Sequence, residues 1–353
     1  MNAANPLRVA VVGAGAFGRN HLRVYKELEQ AGEPVRLVAV IDPDAAAAAD
    51  AATKFGVPAF GSIAECLAKS AGLDAASVCV PTVHHRAAAE ELIAAGLDVL
   101  IEKPLAPSLE DADSILALAA KHQRIVQVGH LERFNPAVTA ARRYLNQPMF
   151  FESHRLSVFT PRSLDVDVVL DLMIHDLDIV LSLVGSPVTE VRAVGLPVLS
   201  PKVDIANVRV EFESGCVANF TASRVSTERV RKLRFFQPHQ YLSIDFARQD
   251  LLMIDVTAAA GMDPAKLAAM AEMIQASQQL QASGGHPSAG LSLSKVPVEP
   301  GEPLRLEIVS FLDAVRRRSV PVVSGEDGRA ALKLALEINA AISAHAQRAG
   351  LTI

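Results

Sequence analysis

The stretch DLMIHDLDIV, residues 171 to 180, sets Asp171, His175, Asp176 and Asp178 among Leu, Ile, Met and Val. On a helix Asp171, His175 and Asp178 share one stripe, because residues three and four apart are neighbours, while Asp176 points elsewhere. An imidazole with a carboxylate one turn away suits proton transfer near neutral pH. Neutral His175 can accept a proton, and Asp171 can orient the ring and stabilise the imidazolium. The plain alternative is an amphipathic helix with a solvated polar face. A metal site built on the same two residues lacks a third ligand. The ten histidines form no HExxH or other zinc spacing, so no metal is expected.

Other residues able to do chemistry lie earlier in the chain. LRVAVVGAGAFGRNHLRVYKEL reads as a buried strand, a glycine turn and a helix. In the turn Gly13, Ala14, Gly15, Ala16, Phe17, Gly18, the first glycine permits a tight bend. The second lets backbone approach a pyrophosphate, and the third lets helix and strand close on each other. The free N–H groups of the helix start then favour the anion. Asp42 ends the second strand, where a carboxylate holds ribose hydroxyls and repels a 2′-phosphate. No Lys or Arg follows it closely, which favours NAD over NADP. The fifth strand ends in Glu102-Lys103-Pro104, so Lys103 is expected at the carboxyl rim where ligands of open α/β sheets bind. There an ammonium can hold a reacting oxygen. Pro81, Thr82 and His85 follow the fourth strand at the same rim. His84 and His85 read equally well as a polar helix start, and His21 as packing or capping.

These residues need elements to hold them. Six short apolar strands alternate with helices up to residue 130, the grammar of a doubly wound parallel sheet. Helix starts are marked by Ser62 and by a capping box from Ser108 to Asp111. After His130 strands follow one another with short turns, several alternating apolar and polar. The expected architecture is α/β: a Rossmann domain over 1–130 and an α+β domain with a large, mostly antiparallel open sheet over 131–353. The second is read as including a partly mobile insertion at 258–300, with a helix at 264–281, and closing helices at 303–318 and 327–347.

Composition sets outer bounds. The 353 residues are 50% hydrophobic and 21% charged, enough for a buried core, and the net charge of −5 offers nucleic acid no general basic surface. No apolar run is long enough to span a membrane, and the N-terminus lacks a signal-peptide pattern. Cys66, Cys79 and Cys216 are widely spaced, as reduced structural thiols in a cytoplasmic protein would be.

Taken together, GAGAFGRNH, the EKP at strand five, GHLERFNP after strand six and the D-x-x-x-H-x-x-D helix resemble the Gfo/Idh/MocA oxidoreductases, in order over nearly the whole chain. The resemblance implies a nicotinamide cofactor and hydride transfer at a sugar or cyclitol carbinol, with Lys103, Asp171 and His175 as the catalytic residues. It also implies an open second-domain sheet that forms a homodimer or homotetramer. Gly13 to Gly18, Asp42, Pro81, Thr82, His85, Glu102 and Lys103 are expected at NAD. Arg133 and Asn135 are expected beside Lys103, Asp171 and His175 at the substrate. GHLERFNPAV and ASRVSTERVRKLRFFQPHQYLSIDF resemble the members that oxidise the 3-hydroxyl of UDP-N-acetylglucosamine to a 3-keto sugar for later amination. Another sugar or an inositol-like cyclitol, or an NAD(H)-binding sensor without turnover, remain alternatives. Arg224, Arg229, Arg231 and Arg234 form a basic cluster that serves either a diphosphate or a solvated or subunit-facing sheet surface. In this reading the stripe of Asp171 and His175 faces a cleft between the domains.

Overall fold

The computed structural model describes residues 5–70, 72–159, 166–255 and 292–351, together with isolated positions between 263 and 272. The chain divides into two compact units, Met1–Phe134 with Gly301–Leu336, and Asn135–Pro300 with Glu337–Ile353.

In the first unit the apolar runs become strands covered on both faces: Val9, Ala10 and Val11 are wholly buried. β1 (Leu7–Val12), β2 (Val35–Ile41), β3 (Ala59–Phe60), β4 (Ala75–Val78), β5 (Asp98–Glu102) and β6 (Val126–Gly129) pair in the order β3-β2-β1-β4-β5-β6. Every pairing is parallel. Strand order therefore reverses between β1 and β4, the place where such sheets bind ligands. The crossovers are α1 (Ala16–Gln30), α2 (Ala45–Phe55), α3 (Ile63–Lys69), α4 (His85–Ala94) and α5 (Leu109–His122). Side chains of Asp44, Ser62 and Ser108 cap α2, α3 and α5 by accepting backbone N–H bonds. Gly56 ends α2 in the left-handed conformation.

The reading of 131–353 as one domain needs correction. The helix α8 (Pro303–Arg317) belongs to the first unit. Its Leu304, Ile308, Phe311, Leu312 and Val315 recur every three or four residues and join Val9, Leu22, Tyr25, Leu28 and Leu37 in one core cluster. Burying such side chains is worth roughly 1.5–3 kcal/mol each. The Gln127 amide on β6 also donates to the Glu307 carbonyl at 3.1 Å. The following helix, α9 (Gly325–Ala349), is divided between the units after Leu336.

The second unit is built on β7 (Phe150–Leu156), β8 (Val188–Leu196), β9 (Ile205–Phe212), β10 (Val217–Ser223), β11 (Val230–Gln237), β12 (Gln240–Asp245), β13 (Asp250–Asp255) and β14 (Ser292–Val296). They lie in the order β14-β13-β12-β11-β7-β10-β9-β8. All neighbours are antiparallel except β7 and β10. Alternation selects one covered face: Phe151, Val208, Val210, Phe220, Leu233, Phe235, Leu242 and Ile244 are buried, and the rings of Phe151 and Phe235 stack at 5.3 Å. Two more helices belong here, α6 (Pro136–Ala141) and α7 (Ile174–Val184). β14 shows that the segment expected as a mobile insertion over 258–300 ends in sheet; most of the expected helix 264–281 lies outside the described residues. Among the described residues no helix is long and apolar enough to cross a membrane.

Candidate active site

In the first unit the glycine turn carries three different constraints. Gly13 has φ +103°, and a Cβ on it would lie 2.5 Å from the Cys79 carbonyl oxygen. A Cβ on Gly18 would lie 1.8 Å from the carbonyl oxygen of Gly13, so α1 can close on the turn only with glycine there. Around Gly15 nothing lies within 4 Å, leaving open space above the start of α1. That helix start has no side-chain cap and no acidic residue in its first turn, so its N–H groups are available to an anion. Gly15, Ala16 and Phe17 are exposed beside it. Open space over uncapped N–H groups fits a pyrophosphate.

Asp42 lies directly after β2 and braces the same turn. One carboxylate oxygen accepts the Ala14 N–H at 2.6 Å and the other the Asp44 N–H at 2.9 Å. The carboxylate is thus fixed, and each oxygen retains acceptor capacity. Arg19 donates to the Ala14 carbonyl at 2.9 Å and pairs with Asp50 on α2, holding the opposite end of that residue.

At the rim Pro81 is exposed and Thr82 half-exposed, where a short 3-10 turn, Thr82–His84, leads into α4. Lys103 is half-buried, at a cis peptide to Pro104. Two expected cofactor contacts turn inward instead. Glu102 is buried and accepts or shares a hydrogen bond with His21 Nε2 at 2.8 Å. Its carboxylate fits because Gly129, at the end of β6, lacks a Cβ that would lie 2.9 Å away. His85 is 1% exposed, with Nδ1 at 2.9 Å from the Pro104 carbonyl and Nε2 at 2.9 Å from the Val80 carbonyl. Both nitrogens face carbonyls within the protein, so the ring reaches a cofactor through neither. Burial pulls its pKa below the ordinary histidine value, against the two carbonyls and the Glu102 carboxylate.

Among the described residues, one group could in principle hold a metal: His21, Cys79 and Glu102, with ligand atoms within 4.8 Å of one another. Burial, with help from the Glu102 and Glu307 carboxylates, raises the Cys79 pKa well above the ordinary thiol range. Within this group His21 Nε2 and a Glu102 carboxylate oxygen already hydrogen-bond each other at 2.8 Å. Burial also pushes the Cys216 thiol up to about 11. The three cysteines are unpaired with one another.

In the second unit Asp167 caps the helical stretch that carries Asp171 and His175. Its carboxylate accepts the N–H groups of Val169 at 2.9 Å and Leu170 at 3.0 Å, and the Asn339 amide at 3.1 Å. The uniform α-helix expected here is not what forms. Val169–Met173 is a π-helical turn, and α7 begins only at Ile174. Such turns are rare and concentrate at functional sites. Asp171 and His175 are half-exposed, while Asp178, expected on the same stripe, is buried. Asp176 does point elsewhere. It is buried against Arg155 of β7, which donates from Nε at 2.9 Å and from a terminal nitrogen at 2.8 Å. The Arg155 guanidinium also stacks 5.2 Å from the Phe246 ring centroid.

Two expected substrate residues make contacts within the protein. The Asn135 side chain caps α6 by accepting the Ala137 N–H at 3.1 Å and donates to the Phe246 carbonyl at 3.1 Å; it is 1% exposed. Arg133, in the first unit, is buried with its guanidinium 3.8 Å from Asp327. Of the basic cluster, Arg224 is buried beside Asp204 at 3.6 Å and donates to the Val166 carbonyl. Arg234 pairs with Glu152 at 3.3 Å, and Arg229 and Arg231 are exposed. Burial alone would raise the Asp204 pKa. Hydrogen bonds from the Ser200 hydroxyl and the N–H groups of Ser200, Leu199 and Val198 hold it at about 2.

A six-stranded parallel sheet with a glycine turn at an uncapped helix start has the form of a dinucleotide-binding domain, and residues 7–130 match the profile described as an oxidoreductase family with an NAD-binding Rossmann fold. Residues 127–237 match the GFO/IDH/MocA C-terminal domain. Over 343 residues the chain is 34% identical to the UDP-N-acetylglucosamine 3-dehydrogenase of Acidithiobacillus ferrooxidans, covering 97% of this chain and 99% of that one. The solved structure of that enzyme matches with a TM-score of 0.82 and 32% identity, over 96% of this chain and 98% of the other. The scyllo-inositol 2-dehydrogenase (NAD(+)) of Bacillus subtilis is 28% identical over 235 residues, 62% of this chain and 68% of that one. The chain belongs to the Gfo/Idh/MocA family of oxidoreductases, and its cofactor is NAD.

Proposed function

We propose that the protein oxidises the 3-hydroxyl of UDP-N-acetylglucosamine to the 3-keto sugar. The observation that carries this reading is the identity of 34% to the Acidithiobacillus enzyme spread over 97% of the chain, substrate unit included. The turn Gly13–Gly18, Asp42, Pro81 and Thr82 would hold NAD, which supplies the hydride acceptor when bound. Oxidising a secondary alcohol also requires that the hydroxyl proton be removed and the developing oxyanion be stabilised. In this reading His175 takes the proton, Asp171 orients the imidazole and stabilises its charged form, and the Lys103 ammonium holds the oxygen. The half-exposure of Lys103, Asp171 and His175 supports these roles, since each side chain must meet both protein and ligand.

The test is reduced-cofactor absorbance with a panel of UDP-N-acetylglucosamine, other UDP-sugars, free hexoses and inositols. Turnover confined to UDP-N-acetylglucosamine supports the proposal; preferred turnover of an inositol, the reading favoured by the Bacillus relative, overturns it. We also propose that the open face of the eight-stranded sheet joins copies of the chain. Val217, Phe150, Phe236, Tyr241 and Ile254 lie in register across five strands of that face. Phe236 keeps 38% of its surface exposed. A Phe236→Glu variant that retains the oligomer mass of the parent in light scattering would contradict this.

A further inference from the structure

Lys103 is flanked by two residues, and each is gripped by a buried histidine from a different helix. On one side, His21 of α1 lies 2.8 Å from the Glu102 carboxylate, in the space that Gly129 leaves open. On the other, the His85 ring at the start of α4 lies between the Pro104 and Val80 carbonyls, with Nδ1 and Nε2 each 2.9 Å from one of them. A neutral imidazole has one N–H, so His85 donates to one of the two carbonyls, and the tautomer that donates from Nδ1 to Pro104 is the one that holds the backbone beside Lys103. The exposures of His21 and His85 are 0% and 1%, so neither can touch a substrate or cofactor. α1 begins in the glycine turn, and Val80 directly precedes the Pro81–Thr82 rim. The two rings therefore tie the backbone around Lys103 to both segments that hold NAD.

We propose that His21 and His85 are positioning residues for Lys103, fixing its backbone relative to the glycine turn and the β4 rim. This rests on the role given to Lys103 above. A group held on its reacting partner loses effectiveness steeply when displaced by an ångström or so. Lys103, with a long flexible side chain, depends on a fixed base to present its ammonium at one place.

The two arms of His85 are chemically separable. An asparagine amide reaches about where Nδ1 sits, toward Pro104; a glutamine amide reaches about where Nε2 sits, toward Val80. If the Pro104 contact positions Lys103, His85→Asn should retain turnover better than His85→Gln. A merely structural role would not rank them that way. In the full chain with NAD, His85→Ala and His21→Ala should lower kcat on the order of tenfold to a hundredfold, with KM little changed. Trace acetylation followed by peptide mass spectrometry should show Lys103 reacting several-fold faster in these variants, with exposed Lys69 unchanged. Should His85→Ala fail to fold, the Asn and Gln variants carry the comparison. Equal turnover of those two, or Lys103 acetylation at the parent rate in any folded His85 variant, overturns the proposal. Acetylation reads the position of Lys103 without turnover. If Lys103→Ala proves fully active, the catalytic reading fails while the positioning test still stands.

Discussion

Replacing Arg155 by leucine should destabilise the second unit by about 3–5 kcal/mol, the cost of leaving a buried carboxylate without its partner. The magnitude follows from the surroundings of Asp176. Its side chain is 3% exposed and that of Arg155 is 4% exposed, so water replaces neither charge. Both carboxylate oxygens are engaged by the guanidinium, at 2.9 and 2.8 Å. Asp176→Leu should also destabilise the unit, because the buried guanidinium then loses its carboxylate. Replacing both should recover most of the loss, since a buried ion pair exchanged for apolar residues of similar size is often near neutral. The double-mutant cycle thus predicts a strongly non-additive outcome. The chain has no tryptophan, so urea unfolding is best followed by far-UV circular dichroism, with hydrogen exchange of the α7 amides to localise the effect. Single variants that lose less than about 1 kcal/mol, or a double variant that loses the sum of both, would refute the argument that this pair anchors α7 to β7.

Lys103→Ala and His175→Ala should each lower turnover by about a hundredfold or more, with NAD affinity by calorimetry nearly intact; parent-like rates in both would remove them from the mechanism. Asp42→Ala should weaken NAD and relax discrimination against NADP in titrations of both cofactors. Equal affinities in the parent protein would defeat that argument. Asp204, held at about 2 against an ordinary 3.8, stabilises the fold above pH 4 by roughly 2 kcal/mol. Its folded-state pKa is depressed, so this contribution is complete at neutral pH and is lost as pH falls from 4 toward 2. Asp204→Asn should therefore be less stable at pH 7 and show a shallower acid dependence of the urea midpoint; a parent-like slope contradicts the assignment.

Much of this arrangement is legible in local sequence. Gly13, Gly15 and Gly18 lie within one turn, and their roles follow from backbone geometry that six residues determine. Asp42, Ser62 and Ser108 announce the ends of their elements for the same reason. The alternation in β9 to β12 reports a sheet covered on one face. What stayed hidden depends on partners distant in the chain. The apolar stripe of α8 announces that it will be buried but not against what, and Tyr25 and Leu22 lie far upstream. His85 looks like a rim residue until Pro104 and Val80 are seen on its two nitrogens. Asn135 and Arg133 sit in a motif that suggests ligand contact, yet both are buried, Asn135 on the Ala137 N–H and Phe246 carbonyl and Arg133 near Asp327. The π-helical turn at Val169–Met173 has no spacing signature, because its Asp167 cap also serves an ordinary helix start.

The central claim is that the 3-position of a UDP-linked N-acetylglucosamine gives up its hydride to NAD on this protein. Incubation with UDP-N-acetylglucosamine deuterated at carbon 3, followed by mass spectrometry of the reduced cofactor, tests it directly. The account predicts deuterium in the reduced nicotinamide and a keto group at carbon 3 of the sugar. Unlabelled reduced cofactor, or none at all, would contradict it.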